Sequence, residues 1–145
     1  MKISTKGRYA LRMLVDLAEH KSEGFISLKD IAERQNISKK YLEQIIPLFN
    51  KSNVLLANRG AQGGYMLADS PSKFTVSDIL RITEGSLAPV SCLEENAIPC
   101  PRRSECLTIS VWEGLNKVIN EYLDGITLQD ILDSKKKNNG NDYII

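Results

Sequence analysis

The sequence is poor in the residues on which most catalytic and disulfide-bonded proteins depend. Its 145 residues include one histidine, one tryptophan and three cysteines. With a single histidine and no second cluster of catalytic residue types, a metal hydrolase or deaminase built around these cysteines is not expected. The odd number of cysteines argues against a disulfide framework and directs attention to ligand or redox chemistry of the thiols.

Long hydrophobic runs are also absent. No apolar stretch approaches the roughly 18 residues of a membrane span, and residues 1–8 lack the apolar segment of a signal peptide. A cytoplasmic protein without membrane attachment is therefore expected. The hydrophobic share of 42% and the charged share of 26% are ordinary for a folded domain, and the length predicts a single domain or a small domain with an added arm.

Neither sign of charge dominates the whole chain, but the charges are unevenly distributed. Residues 1–64 carry 11 Lys and Arg against 6 Asp and Glu, whereas residues 65–145 carry 8 against 12. This asymmetry indicates that the N-terminal half meets a polyanion. The charge asymmetry by itself is equally consistent with a chance distribution, so the interpretation depends on the sequence motifs.

The N-terminal half has the pattern of a winged helix-turn-helix. Ser27 and Ser38 stand where a hydroxyl can cap a following helix, and Pro47 is the weak point of the third helix. The predicted elements are helices over 5–21, 28–35 and 38–50 and strands over 54–57 and 65–68. A helix-turn-helix followed directly by a glycine-rich β-hairpin is typical of DNA-binding proteins.

The second half predicts three further helices around an irregular loop. Thr75 and Thr127 begin capping-box patterns, and an apolar stripe from Leu107 to Tyr122 predicts a long helix that packs on a partner subunit. The predicted fold is thus mainly α with a small β-hairpin. Its parts are a winged helix-turn-helix domain over 1–85, a cysteine-containing sensor loop over 86–106, a dimerisation helix and short terminal helix over 107–134, and a flexible tail over 135–145.

Four segments together make the sequence similar to a known family. They are Met1–Arg12, Ile31–Gln44, the wing Arg59–Tyr65, and the loop with Cys92, Cys100 and Cys106 before Trp112. In these segments the chain resembles the Rrf2 family of winged-helix transcriptional regulators, with its IscR-like, CymR-like and NsrR-like members. The resemblance implies a homodimer crossed through the long helix, palindromic operator DNA, and in many members an iron–sulfur cluster as sensor. It also implies control of genes for cluster assembly or for sulfur and cysteine metabolism.

The candidate DNA-binding residues lie in the third helix, the wing and the N-terminal segment. The third helix is expected to enter the major groove, the wing to reach a phosphate or the minor groove, and the N-terminal segment to contact the backbone. A solvated helix face is the alternative for the lysines of the third helix. The candidates are Lys2, Lys6, Arg8, Ser38, Lys39, Lys40, Tyr41, Glu43, Gln44, Arg59, Gly60, Gly63 and Gly64.

The cysteines have the spacing Cys-x7-Cys-x5-Cys, which is wider than in zinc fingers and suits a larger inorganic cluster. The resemblance implies that Cys92, Cys100 and Cys106 hold a [2Fe-2S] cluster, with [4Fe-4S] as the alternative. The fourth ligand is open, because Ile109 stands where IscR-like members have histidine and Arg8 where NsrR-like members have an acid. The candidates are Ser91, Glu94, Glu95, Glu105 and an exogenous thiol or water. Zinc, free thiols and a thiol redox switch are the other uses of these residues.

The C-terminal residues Asn141–Ile145 carry a separate hypothesis. They resemble the tails that CymR-like partners of cysteine synthase insert into that enzyme, although a disordered end that folds back on the dimer is an equal alternative. The second functional hypothesis is accordingly a cluster-free, CymR-like repressor of cysteine metabolism, controlled by cysteine synthase binding or by thiol oxidation.

Overall fold

A computed structural model describes the backbone of residues 1–141 and the side chains of residues 1–138. The helices and strands are α1 (Thr5–Glu19), α2 (Leu28–Gln35), α3 (Lys39–Asn50), β1 (Leu55–Asn58), β2 (Gly64–Leu67), α4 (Val76–Glu84), α5 (Ile109–Asp124) and α6 (Leu128–Asn141). The predicted fold, mainly α with one antiparallel hairpin, is confirmed. None of the described helices is both long and apolar enough to span a bilayer.

Hydroxyl residues fix where the helices begin. The hydroxyls of Ser27, Ser38 and Thr75 each accept a hydrogen bond from the backbone N–H three residues ahead, at 3.1–3.2 Å. At α4 the Asp78 carboxylate returns the contact, accepting from the Thr75 N–H at 3.0 Å. These caps satisfy N–H groups that have no partner inside the helix, and they confirm the predicted starts.

The wing is tied to the chain that precedes α2. Strands β1 and β2 pair with Leu55 opposite Leu67 and Asn58 opposite Gly64, one residue away from the predicted limits. Tyr65 exchanges two backbone hydrogen bonds of 2.8 Å with Ile26. Gly64 permits this approach, because a Cβ there would lie 2.3 Å from the Ile26 carbonyl oxygen. The hairpin is therefore held in a fixed position beside the helix-turn-helix.

The main hydrophobic core surrounds α1. Met13, Leu14 and Leu17 on α1 are fully buried, as are Phe49 on α3 and Leu128 on α6. Helix α1 contacts α2, α3, α4 and α6, so the last helix completes the core formed by the first four. Burying these large apolar side chains is the main source of stability for a domain of this size.

A second, smaller apolar cluster, the junction cluster, joins parts of the chain that are far apart in sequence. Its buried members are Val76 and Leu80 of α4 and Leu87 of the cysteine loop, and Ile3 packs against them from the N-terminal segment. Helix α5 contributes Ile119 and Leu123, and α6 contributes Ile131. The N-terminus, the loop and the long helix thus meet at one place.

The structure corrects the predicted ends of several elements. Helix α1 ends at Glu19 and not near Lys21. Helix α3, by contrast, runs to Asn50 as predicted, with Pro47 inside it. Helix α6 runs to Asn141, so the flexible tail predicted from Lys135 is helical as far as residue 141. The Lys135 ammonium contacts Glu19 of α1, which attaches this helix to the domain. Residues 142–145, the rest of the proposed cysteine synthase tail, lie outside the described residues.

Candidate nucleic-acid interface and cysteine loop

The first two turns of α3 present a polar surface to solvent. Leu42 and Ile45 point into the core, which turns the other side of the helix outwards. Four of the predicted DNA-contacting side chains are exposed on this outer side: Lys39, Lys40, Glu43 and Gln44. The Lys39 ammonium lies 4.0 Å from the Glu43 carboxylate, an exposed pair that contributes little to stability. The helix therefore offers cations, a carboxylate and an amide to a partner.

Tyr41 is placed differently from its neighbours. Its ring is half-buried and meets Tyr9 of α1 edge to face, with ring centres 5.4 Å apart. The Arg12 guanidinium lies over the Tyr9 ring, 5.2 Å from its centre. Arg12 also donates a hydrogen bond to the Gln35 side chain at 3.3 Å. The contact between the Tyr9 and Tyr41 rings sets the orientation of α3 against α1.

A groove between the start of α3 and the wing brings together cations from three elements. Lys29 of α2, Lys39 of α3 and Arg59 of the wing line it, and its volume is about 370 Å³. No carboxylate is among the described residues that line it. Lys29 was missed by the sequence reasoning, because its distance from the wing in sequence hides their proximity. An acid-free groove of this kind favours a phosphate backbone.

The wing tip is exposed and depends on its glycines. Arg59 projects from the end of β1, and Gly60 has a φ of 116°, which favours glycine. A Cβ on Gly63 would lie 2.4 Å from the Asn58 carbonyl oxygen. Gly64, also predicted to approach DNA, is buried against Ile26. It still lines the groove together with Gly60 and Gly63.

The N-terminal segment carries the remaining predicted contacts. Lys2, Lys6 and Arg8 are exposed, and the Arg8 guanidinium donates to the Thr5 hydroxyl at 3.1 Å. Ser4 caps α1, and both its N–H and its hydroxyl donate to the Glu84 carboxylate, at 3.1 and 2.6 Å. The segment is thus fastened to the end of α4.

An ion pair between a buried carboxylate and a partly exposed guanidinium joins α1 to the helix-turn-helix. Asp16 is 1% exposed, and Arg34 of α2 donates to both of its carboxylate oxygens, at 2.6 and 3.0 Å. The Gln35 amide adds a third hydrogen bond at 3.0 Å. Burial alone would raise the pKa of Asp16, but the hydrogen bonds from Arg34 and Gln35 and the Arg34 charge hold that pKa below its usual value. No local pattern in the sequence indicates this pair.

The three cysteines lie on the surface in a loop with only short 3₁₀ turns. Cys92 and Cys106 are half-buried, Cys100 is exposed, and all three thiols are free. The Cys106 sulfur lies 3.5 Å from the Thr108 hydroxyl. This hydrogen bond, with help from backbone N–H groups, lowers the pKa of the Cys106 thiol.

The loop does not gather the three thiols into a ligand set. Cys100 and Cys106 line the same open cavity, of about 420 Å³, but Cys92 does not. Among the described residues, no three His, Cys, Asp or Glu side chains are grouped so that they could hold a metal ion. The thiols are chemically suited to an iron–sulfur cluster, but their described positions do not fit one.

Helix α5 exposes an apolar face. No residue of α5 is buried within the protomer, and Arg81 holds the helix to α4 through Asn120 at 2.6 Å and Asp124 at 3.3 Å. The exposed apolar residues follow one stripe: Leu107, just before the helix, then Val111, Leu115, Val118 and Tyr122, with Trp112 beside them. A stripe of this size is unusual on the surface of a monomer.

Comparison with known proteins identifies close relatives. Residues 3–134 match the Rrf2 family profile, described as an iron-dependent transcriptional regulator. Protein rrf2 of Nitratidesulfovibrio vulgaris is 43% identical over 132 residues, which are 91% of this chain and 87% of that protein. The structure of T. potens IscR is 43% identical, with a TM-score of 0.76 over 95% of this chain and 90% of that one. The structure of CymR, the global cysteine regulator of B. subtilis, is 38% identical, with a TM-score of 0.76 over 92% and 98%.

Proposed function

Because this chain belongs to the Rrf2 family and is a DNA-binding transcriptional regulator, not an enzyme, we propose that it is a homodimeric repressor of palindromic operators in the cytoplasm. The acid-free groove between α3 and the wing, with Lys29, Lys39 and Arg59 on its walls, is the observation that supports this most strongly. The groove supplies the affinity for phosphate, and the exposed outer side of α3 supplies the groups that read bases.

The proposed contacts divide by what each group can recognise. Lys39, Lys40 and Gln44 would donate to base edges in the major groove, and Glu43 would accept from cytosine or exclude other bases. Ser38 would stand near a phosphate at the helix start. Arg59 would reach a phosphate or the minor groove, with Gly60 and Gly63 shaping the turn behind it. Lys2, Lys6 and Arg8 would hold the backbone without reading sequence.

The partner proposed for the exposed face of α5 is a second copy of the chain. The stripe from Leu107 to Tyr122 is one helix face wide, which suits pairing with its own symmetry mate across a two-fold axis. In such a dimer, the wing and α3 of each protomer would contact one of the two half-sites of the same duplex.

Selection from a random library of DNA duplexes tests the DNA-binding proposal. Purified protein is expected to enrich a two-fold symmetric site, and log affinity for that site should fall steeply with log salt concentration. Lys29→Gln and Arg59→Gln should each lower the salt slope by about one without changing the enriched sequence. Lys117→Gln, an exposed change on α5, is the matched control. An asymmetric site, or unchanged salt slopes in both groove variants, contradicts the proposal.

We further propose that the cysteine loop is the control element of the regulator. The IscR relative and the family description favour an iron–sulfur cluster, [2Fe-2S] or [4Fe-4S], on Cys92, Cys100 and Cys106. The separation of Cys92 from the other two thiols and the lowered pKa of Cys106 favour thiol chemistry without a cluster. With a cluster or with free thiols, the residues that detect the signal lie in the loop over 86–106.

An anaerobic absorption spectrum with iron and sulfide analysis separates these two forms. A thiolate-ligated cluster gives visible absorbance that Cys100→Ala abolishes. Colourless, iron-free protein after anaerobic reconstitution removes the cluster and leaves thiol oxidation or a protein partner as the signal.

Cysteine synthase is the protein partner to test first, because of the tail hypothesis and the similarity to CymR. Full-length protein is expected to retain cysteine synthase in a pull-down, and a variant without Ile144 and Ile145 should not. Equal retention by both proteins contradicts this partner.

A further inference from the structure

We infer that Glu84 is a positioning residue, through which the cysteine loop acts on the DNA-backbone contacts of the N-terminal segment. The inference rests on the proposed function, because it assumes that Lys2 and Lys6 contact DNA and that the loop carries the signal. It concerns contacts within one protomer, separate from the dimer interface and from any ligand of the cysteines.

The Glu84 carboxylate holds the N-terminal segment at a defined point. It accepts from the Ser4 N–H at 3.1 Å and from the Ser4 hydroxyl at 2.6 Å, and the Ser4 hydroxyl in turn accepts from the Gly7 N–H at 3.1 Å. Ser4 lies midway between Lys2 and Lys6, so both lysines extend from the residue that Glu84 holds. A carboxylate is well placed here, because the start of α1 carries partial positive charge.

Gly7 shows how close this contact is. A Cβ on Gly7 would lie 2.2 Å from a Glu84 carboxylate oxygen and 3.2 Å from the Thr83 hydroxyl. A side chain at position 7 would push the Glu84 carboxylate away from its present place, so glycine leaves room for the carboxylate beside the first turn of α1.

The chain that follows Glu84 enters the cysteine loop directly. Gly85 follows with a φ of 80°, and Leu87 then packs with Ile3 in the junction cluster. An open cavity of about 300 Å³ lies between the two segments, with Met1–Ile3 and Glu84 on one side and Ser86–Ser91 on the other. Ser91 and Cys92 belong to the same short 3₁₀ turn.

A conformational change in the loop at Cys92 can therefore reach Lys2 and Lys6 through a few adjoining contacts. Moving residues 86–91 shifts Leu87 against Ile3 and alters the position of Glu84 against Ser4. When Ser4 is released, Lys2 and Lys6 lose their fixed register against the DNA backbone. Fixed register is what backbone contacts contribute to an operator complex.

A double-mutant cycle on the selected duplex tests the positioning role. Glu84→Ala is expected to weaken binding by about five- to tenfold and to lower the salt slope by one to two. In a Lys2→Gln/Lys6→Gln background, the same change should have almost no further effect. Glu84→Gln should stay within about twofold of wild type, because its amide oxygen still accepts from Ser4. Glu94→Ala, an exposed change on the same cavity, is the matched control.

Alkylation of the loop thiols tests the transmission. Iodoacetamide treatment should change the affinity of the wild type for the duplex, and Glu84→Ala should remove most of that change. An equal loss from Glu84→Ala in both lysine backgrounds overturns the positioning role. An alkylation effect that persists in Glu84→Ala, or an absent effect in the wild type, overturns the transmission. Failure of the wild type to select any DNA contradicts the proposed function itself.

Discussion

At the scale of single residues, the Asp16 carboxylate shows what a core charge requires. It is buried within α1 and held by Arg34 and Gln35 from α2. Taking Arg34 away leaves the buried Asp16 carboxylate with the Gln35 amide and the His20 ring, 3.6 Å away, as its remaining partners, and this loss is costly. The hydrogen bonds from Arg34 and Gln35 thereby hold α2 against α1.

Arg34→Ala is expected to lower the free energy of unfolding by about 2 kcal/mol, because Asp16 is buried but the Arg34 side chain is 35% exposed and partly screened by solvent. Glu33→Ala, an exposed change in the same helix, should stay within about 0.5 kcal/mol of wild type. Urea unfolding followed by circular dichroism measures both. Equal stability of the two variants would show that the ion pair makes no net contribution.

The same pair contributes to the response of the domain to acid. The pKa of Asp16 is lowered in the folded state, so its contribution to stability is fully present above the unfolded value of about 3.9. That contribution is lost as the pH falls through the folded pKa. In Arg34→Ala, stability should therefore fall less steeply below about pH 4 than in the wild type.

Cys106 is expected to be the most reactive of the three thiols. The Thr108 hydroxyl and nearby N–H groups lower its pKa, so more of it is thiolate at neutral pH. Mass spectrometry after brief iodoacetamide treatment should find Cys106 modified before Cys92 and Cys100. Thr108→Val removes the side-chain hydrogen bond and should slow that reaction, whereas Thr5→Val, a matched change at an exposed threonine of α1, should not. Faster modification of Cys100 in the wild type contradicts the assignment.

Among the secondary-structure elements, the hairpin depends on Gly64 for its attachment to the segment before α2. Gly64→Ala places a Cβ against the backbone of Ile26, where no side chain can move aside. The hairpin must separate from the segment before α2, and we expect stability to fall by about 2 kcal/mol or more and DNA affinity to fall with it. Ala61→Ser, at the exposed wing tip, is the control for stability. Thermal unfolding and duplex titration measure the two effects.

Local signals in the sequence were sufficient for most of the elements. The caps at Ser27, Ser38 and Thr75 and the glycine-rich turn act over three or four residues, so the starts of α2, α3 and α4 and the position of the hairpin could be predicted. Contacts between distant residues could not be read in this way. Asp16 with Arg34, Ser4 with Glu84, and Lys29 beside Arg59 are joined only by the tertiary fold.

The end of α6 and the position of Gly64 illustrate the same limit. Lys135 looked like the start of a polar tail because its neighbours are charged, but its contact with Glu19 on α1 extends the helix. Gly64 looked like part of a DNA-facing turn because of its neighbours, but packing on Ile26 buries it. In both cases the deciding partner is more than 35 residues away in sequence.

At the scale of the whole molecule, the exposed stripe of α5 accounts for the expected dimer. Val118→Glu places a charge in the middle of that stripe, where Val118 is 62% exposed in the protomer. Burying an unpaired charge in an interface is unfavourable, so the variant is expected to run as a monomer of 16.2 kDa. Wild type should have twice that mass by light scattering, and Lys117→Glu should remain dimeric. A dimeric Val118→Glu variant would place the interface elsewhere.

Two protomers, joined in a fixed geometry, are expected to read two half-sites of one duplex. The most direct test is the affinity of the wild type for its selected palindrome, compared with the same duplex carrying about five extra base pairs between the half-sites. That insertion turns one half-site by half a helical turn of DNA. A loss of affinity of at least about tenfold is the predicted result. Equal affinity for the two duplexes would mean that each protomer binds alone, and would contradict the account.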